Sequence, residues 1–121
     1  MRKSFYFTAI VALLTSCYPK IELENFDDLA WRQPLKPCDS AKLVLAKAVV
    51  DQQDKILSKG QAEVKGLLGN PDEHELYTRN EKFFYYNLTM SDSCGKAQSA
   101  KRLSIRFDAL DRAKEVMIIK W

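Results

Sequence analysis

The chain has one histidine in 121 residues, which excludes any site needing two imidazoles, such as a His-x-x-x-His zinc helix. Four glycines and four prolines are too few for a collagen-like or linker-like chain. No apolar run in it approaches the about 20 residues that cross a bilayer as a helix. There is no glycine-rich phosphate loop, and 19 basic against 16 acidic side chains leave a formal charge of only +3, too little to argue for nucleic acid as a partner. What the chain does have is 46% hydrophobic and 29% charged residues. That is the balance of a globular protein, in a length suited to one domain with a modest core.

The first seventeen residues speak to compartment. Arg2 and Lys3 precede an almost wholly apolar stretch over residues 5–14, followed by small side chains, the pattern of a secretory signal. Its end, Leu14-Thr15-Ser16-Cys17, resembles a bacterial lipobox. The resemblance implies that the Cys17 thiol takes a diacylglyceryl group as a thioether, that cleavage follows on its N-terminal side, and that the new amine is acylated. Two or three acyl chains suffice for stable anchoring. Residues 1–16 are then a signal peptide, 17–37 a lipidated N-terminus and tether, and 38–121 the domain. Tyr18 stands where an aspartate would mark inner-membrane retention. This favours the outer membrane, with its periplasmic face and the cell surface both open. The alternative is a plain secretory signal or N-terminal anchor with an incidental cysteine. Cleavage would leave 105 of the 121 residues and remove Arg2 and Lys3, so that 17 basic side chains face 16 acidic ones at +1.

Cys38 and Cys94 remain. In an oxidising envelope such a pair points to a disulfide. It would close a loop of about 57 residues, worth about 4 kcal/mol in loop-closure entropy less any strain. Two free buried cysteines are the alternative. A metal site is poorly served by two cysteines and a distant His74, and a catalytic thiol would have only that imidazole as its base.

Along the mature chain, Pro19, Pro34 and Pro37 with four acidic residues read as a tether in which helix is discouraged. Phe26, Leu29 and Trp31 suggest that its second half docks on the domain, with Trp31 as a core anchor rather than a binding residue. Asp39 or Ser40 can cap a helix, and Leu45, Ala46, Val49, Val50, Ile56 and Leu57 carry helical spacing over residues 40–58. A second, short helix is expected over Gln61–Leu68, capped by Gly60, with Gly69 ending it in the left-handed conformation and Pro71 preventing its resumption. The period then changes. Strands are expected at residues 75–77, 82–89, 103–107 and 114–121, with a turn at 79–81, a polar loop at 91–100 and a turn at 109–112. Helices followed by strands indicate an α+β fold, two N-terminal helices packed on an antiparallel sheet of three to four strands.

The stretch Glu63-Val64-Lys65-Gly66-Leu67-Leu68-Gly69-Asn70-Pro71-Asp72 resembles the signature E-V-x-x-L-L-G-x-P-D of the SmpA/OmlA family, the small BamE-like lipoproteins of bacterial outer membranes. The aromatic strand at residues 83–88 and the final pair of strands fit as well, so the resemblance covers about residues 56–121. It implies two helices on a small antiparallel sheet, as in one half of the β-lactamase-inhibitor protein. It also implies a role beside the machine that inserts outer-membrane β-barrels. Ser58 and Gly60 replace the family's Gly-x-Thr or Gly-x-Ser, and the Cys38/Cys94 pair is unusual for the assembly subunit. The closer match is to uncharacterised envelope lipoproteins with this domain. The signature terminates a helix at Gly69 and Pro71 and names no active site.

Little in the sequence suggests catalysis. The acids Asp72, Glu73, Glu75, Asp108 and Asp111 fall in or beside predicted turns, and a single histidine at a strand start is ordinarily exposed. Lys96, Lys101 and Arg102 read as a solvated loop. No catalytic set, cofactor or metal is expected. The most suggestive surface is aromatic. Successive residues of Phe83-Phe84-Tyr85-Tyr86 point to opposite faces, so a second sheet face is aromatic and must be covered by the tether or by a partner. Tyr77, Phe84, Tyr86 and Trp121 are its candidate residues. The expectation is a lipid-anchored, non-enzymatic envelope protein that binds another protein, with an inhibitor of a periplasmic hydrolase as the alternative by analogy of fold. Mass spectrometry of the unreduced protein is expected to find no free thiol at Cys38 or Cys94, and a free thiol at either would rule out the disulfide.

Overall fold

In the computed structural model, residues 20–36, 39–89 and 100–120 are described. Three helices, α1 (Asp28–Trp31), α2 (Ala41–Asp51) and α3 (Gln61–Leu68), precede four strands, β1 (Glu73–Leu76), β2 (Lys82–Asn87), β3 (Lys101–Phe107) and β4 (Ala113–Lys120). The strands form one antiparallel meander in sequence order. The fold is α+β.

The first two helices begin where an aspartate side chain satisfies free amides. Asp27 accepts from the Leu29 and Ala30 amides at 3.1 and 3.2 Å, and so starts a helical turn inside the proline-flanked tether. This corrects the expectation of a helix-free tether, because the prolines lie outside the turn. Asp39, not Ser40, accepts from the Ala41 amide at 2.9 Å. The first long helix is shorter than its apolar spacing predicts. It ends at Asp51 because the Gln52 carboxamide leaves the helix to clasp the Glu24 backbone, donating to its carbonyl at 2.7 Å and accepting from its amide at 2.8 Å. A 3₁₀ turn over Gln53–Lys55 follows. Ser58 then adopts φ +73°, which reverses the chain while leaving Ile56 fully buried.

α3 has the bounds predicted for it, with Glu63 in its first turn. Its end differs in detail. Gly69 has φ +80° but ψ −174°, a region open essentially to glycine alone, rather than the left-handed helical well. A Cβ there would also lie 3.2 Å from Arg32 Nη1.

The strands shift by a few residues for traceable reasons. β1 starts earlier than expected because the Asp72 amide donates to the Tyr85 carbonyl at 2.9 Å and its carboxylate accepts from the Asn87 amide at 2.7 Å. Tyr77 closes it by donating to the Glu81 carbonyl at 2.8 Å, and Arg79 and Asn80 make the turn with φ +64° and +62°. β2 stops at Asn87, short of Thr89, because the amides of Leu88 and Thr89 both converge on the Lys101 carbonyl and break the ladder's alternation. Between β3 and β4, Asp108 accepts from the Leu110 and Arg112 amides at 2.9 and 3.0 Å.

The core lies on one face of the sheet. Phe84 pairs across with Ile105, and Tyr86 with Leu103; with Phe107 and Val116 they meet Val49, Val64, Leu67 and Leu68 of α2 and α3. Trp31 is 3% exposed, donates from Nε1 to the Leu68 carbonyl at 2.8 Å, and lies 6.0 Å from the Tyr86 ring. Over its described residues, 20–36, the tether therefore docks on the helical side and does not fold over the second sheet face. Gly69→Ala is expected to cost about 1–3 kcal/mol of stability, read as a lower urea midpoint. An unchanged midpoint would contradict the role of Gly69.

Candidate functional site

The second face of the sheet is built by the odd positions of β1 and β2. The register aligns Glu75, Phe83, Arg106 and Glu115 in one row across four strands, and Glu73, Tyr85, Ser104 and Met117 in the next. Asn87, Arg102 and Ile119 form a third row over β2 to β4. None of these residues belongs to the core cluster.

The aromatic rings are held by neighbours on the same face. Phe83 and Tyr85 stack at 5.8 Å and 10°, and Tyr77 meets Phe83 edge-on at 5.8 Å. The Arg102 guanidinium sits 3.7 Å over the Tyr85 ring and pairs with Glu73 at 3.1 Å. The Tyr85 hydroxyl donates to Glu75 at 3.1 Å. Its ionisation is pushed up by burial and by that carboxylate, both of which disfavour the phenolate. Arg106 lies between Glu81 at 3.5 Å and Glu115 at 3.9 Å. The face is thus an aromatic strip framed by ion pairs, with Met117 41% exposed at its margin.

This arrangement changes the candidate residues. Phe84 and Tyr86 are 2% and 3% exposed and point into the core, so they are core side chains and not part of a partner surface. The Tyr86 hydroxyl donates to the Gly69 carbonyl at 2.8 Å, and burial raises its pKa. Tyr77 is on the surface as expected, 56% exposed. Gly69 and Pro71 stand at the end of α3. Cys17, Cys38, Cys94 and Trp121 lie outside the described residues. The residues the sequence reading missed are Phe83, Tyr85, Arg102 and Met117. The alternation Leu103, Ile105, Phe107 marks one face of β3, but which aromatic pair of β2 shares that face depends on the register across the β2–β3 connection.

The acids predicted at turns are engaged structurally. Asp72 holds the Asn87 amide, Glu73 holds Arg102 and Glu75 holds Tyr85. The His74 ring lies edge-on to Phe84 at 6.3 Å. Among the described residues no three His, Cys, Asp or Glu side chains are placed to hold a metal ion, and no helix is long and apolar enough to cross a membrane. A cleft of about 410 Å³ opens beside Trp31 and the end of α3, bordered by Arg32, Lys42, Asn70, Asp72 and Asn87. The Lys42 ammonium lies 5.8 Å from the Trp31 ring there.

The β3–β4 turn carries the clearest acid shifts. Hydrogen bonds from Lys82 at 2.8 Å and Gln61 at 2.8 Å hold the Asp111 carboxyl below the usual carboxylate range, and the Arg112 amide does the same for Asp108. A depressed folded pKa stabilises the protein above the unfolded value of about 4. That contribution is lost as pH falls through the folded pKa. Lys82→Met is expected to move the Asp111 titration up toward the ordinary range in a carboxyl-carbon NMR titration, while Asp108 stays depressed. An unmoved Asp111 would contradict the assignment.

No protein-family model, no curated protein and no solved structure matches this chain.

Proposed function

We propose that this protein is a lipid-anchored component of a bacterial envelope, held at the outer membrane through Cys17, whose domain works by binding another protein rather than by catalysis. The observation that carries the reading is the second sheet face. Half-buried Phe83, exposed Tyr77 and Met117 and the adjoining Ile119 lie together on a surface outside the core cluster. Rings held rigid by stacking and framed by charged groups are the anchors that protein interfaces favour. The lipobox at Leu14 to Cys17 supports the anchor. The signature running from Glu63 to Asp72 supports a BamE-like domain with a role in outer-membrane assembly or maintenance.

Two measurements test this. Cys17→Ser is expected to abolish incorporation of radiolabelled palmitate and to leave the precursor uncleaved. A photo-crosslinking residue at Phe83 or Met117 is expected to capture one defined protein in intact envelopes, and one at Lys47, exposed on α2, is expected not to. Equal capture at all three positions, or none, would count against the outer face as the binding surface.

A further inference from the structure

The two edges of the sheet are built differently. β4 is guarded at its start: the Ser58 amide donates to the Ala113 carbonyl at 2.8 Å, the Ala113 amide to the Lys59 carbonyl at 2.8 Å, and Gly60 bridges Arg112. Exposed Lys114 and Lys120 also lie on that strand, and edge lysines discourage further pairing. β1, the opposite edge, has none of these devices among the described residues. All four of its residues are exposed, and it contains no lysine or proline. Because the Tyr77 amide bonds to the Glu81 carbonyl, the alternation of an antiparallel ladder directs the odd positions of β1 toward β2. It turns the amides and carbonyls of His74 and Leu76 outward.

We propose that the free edge of β1 receives an extended segment of a partner protein as a fifth strand, and that this segment alternates basic with apolar side chains. The proposal rests on the protein-binding reading above and adds a main-chain contact at the edge to the side-chain contact on the face. Main-chain bonds to His74 and Leu76 would supply the pairing, and alternate side chains the selectivity. Charge decides which occupant fits. Glu73 and Glu75 share the outer face, so antiparallel pairing with a second copy would set glutamate opposite glutamate, which is destabilising. Lysine or arginine at those positions meets opposite charge instead. On the inner face the demand is different. Leu76 is 68% exposed. A largely polar groove of about 330 Å³ runs between α3 and β1 past Gln61, Asn70, Asp72, His74 and Phe84, and Lys65 already stands in it, 5.5 Å from the Phe84 ring. An apolar side chain of the incoming strand covers Leu76 on that face, and a cation there would stand beside Lys65.

The test titrates the full chain, isotopically labelled and purified as cells make it, with the end-blocked peptide Lys-Val-Lys-Val-Lys-Val, and reads amide shifts by NMR. Shifts centred on His74 and Leu76 are expected, with the Glu-Val-Glu-Val-Glu-Val peptide binding at least about tenfold more weakly. Leu76→Pro removes an outward amide while leaving the bonds of Glu75 and Tyr77 to β2, and is expected to weaken binding by about tenfold. Glu75→Gln keeps an acceptor for Tyr85 but loses the charge, and is expected to weaken it severalfold without altering the fold. Shifts elsewhere, equal binding of the acidic peptide, or unaltered binding by both variants would each overturn the proposal. Crosslinking from Phe83 left undiminished in Leu76→Pro would overturn it too, while leaving the protein-binding reading intact.

Discussion

The carboxyl end of α3 is where the fold is tied together. Its last carbonyls have no partners within the helix, and two side-chain donors from elsewhere take them. The Trp31 indole bonds to Leu68, and the Tyr86 hydroxyl bonds to Gly69, each at 2.8 Å. The first donor comes from the tether and the second from β2, so one helix end fixes the position of both. The Gly69 backbone makes this possible by adopting a conformation that a side chain would strain. Tyr86, Trp31 and Phe26 then pack in series as tilted ring pairs, and α1 docks through that row.

With the described tether, α2 and α3 all on one side, the sheet packs its core cluster on a single face, and on the other only Tyr85 and Ser104 of the described residues are buried. The opposite face has to stay ordered without a core. It does so by stacking rings and pairing charges: Phe83 lies on Tyr85, Arg102 covers Tyr85 and reaches Glu73, and Arg106 spans Glu81 and Glu115. Such exposed pairs add little stability individually. Their effect is geometric: with Tyr85 buried beneath Arg102, Phe83 is held in fixed orientation against it, half-buried at the surface.

Much of the architecture was legible from residue order. The helical spacing of Val64, Leu67 and Leu68 with Gly60 before and Gly69 after sets α3, because start and stop signals coincide with the apolar period. The alternation in β3 likewise marks a one-face-buried strand. Ile56 and Leu57 misled for a definite reason. They continue the apolar period of α2, but a glutamine side chain bonding to a segment 28 residues away breaks the helix first. No local pattern carries that information.

The candidate surface shows the same division. By itself the sequence determined the order of elements, the helix stop at Gly69 and the presence of aromatic residues on both faces of β2, since these follow from periods and turn chemistry within short windows. Only the tertiary structure decided which aromatic pair packs against the helices. A register shifted by one residue exchanges the two faces, and the observed register is set by Phe84 and Tyr86 finding Ile105, Leu103 and the end of α3. The same long-range packing leaves Phe83 and Tyr85 on the outer face and β1 as the edge on which, among the described residues, no other segment pairs.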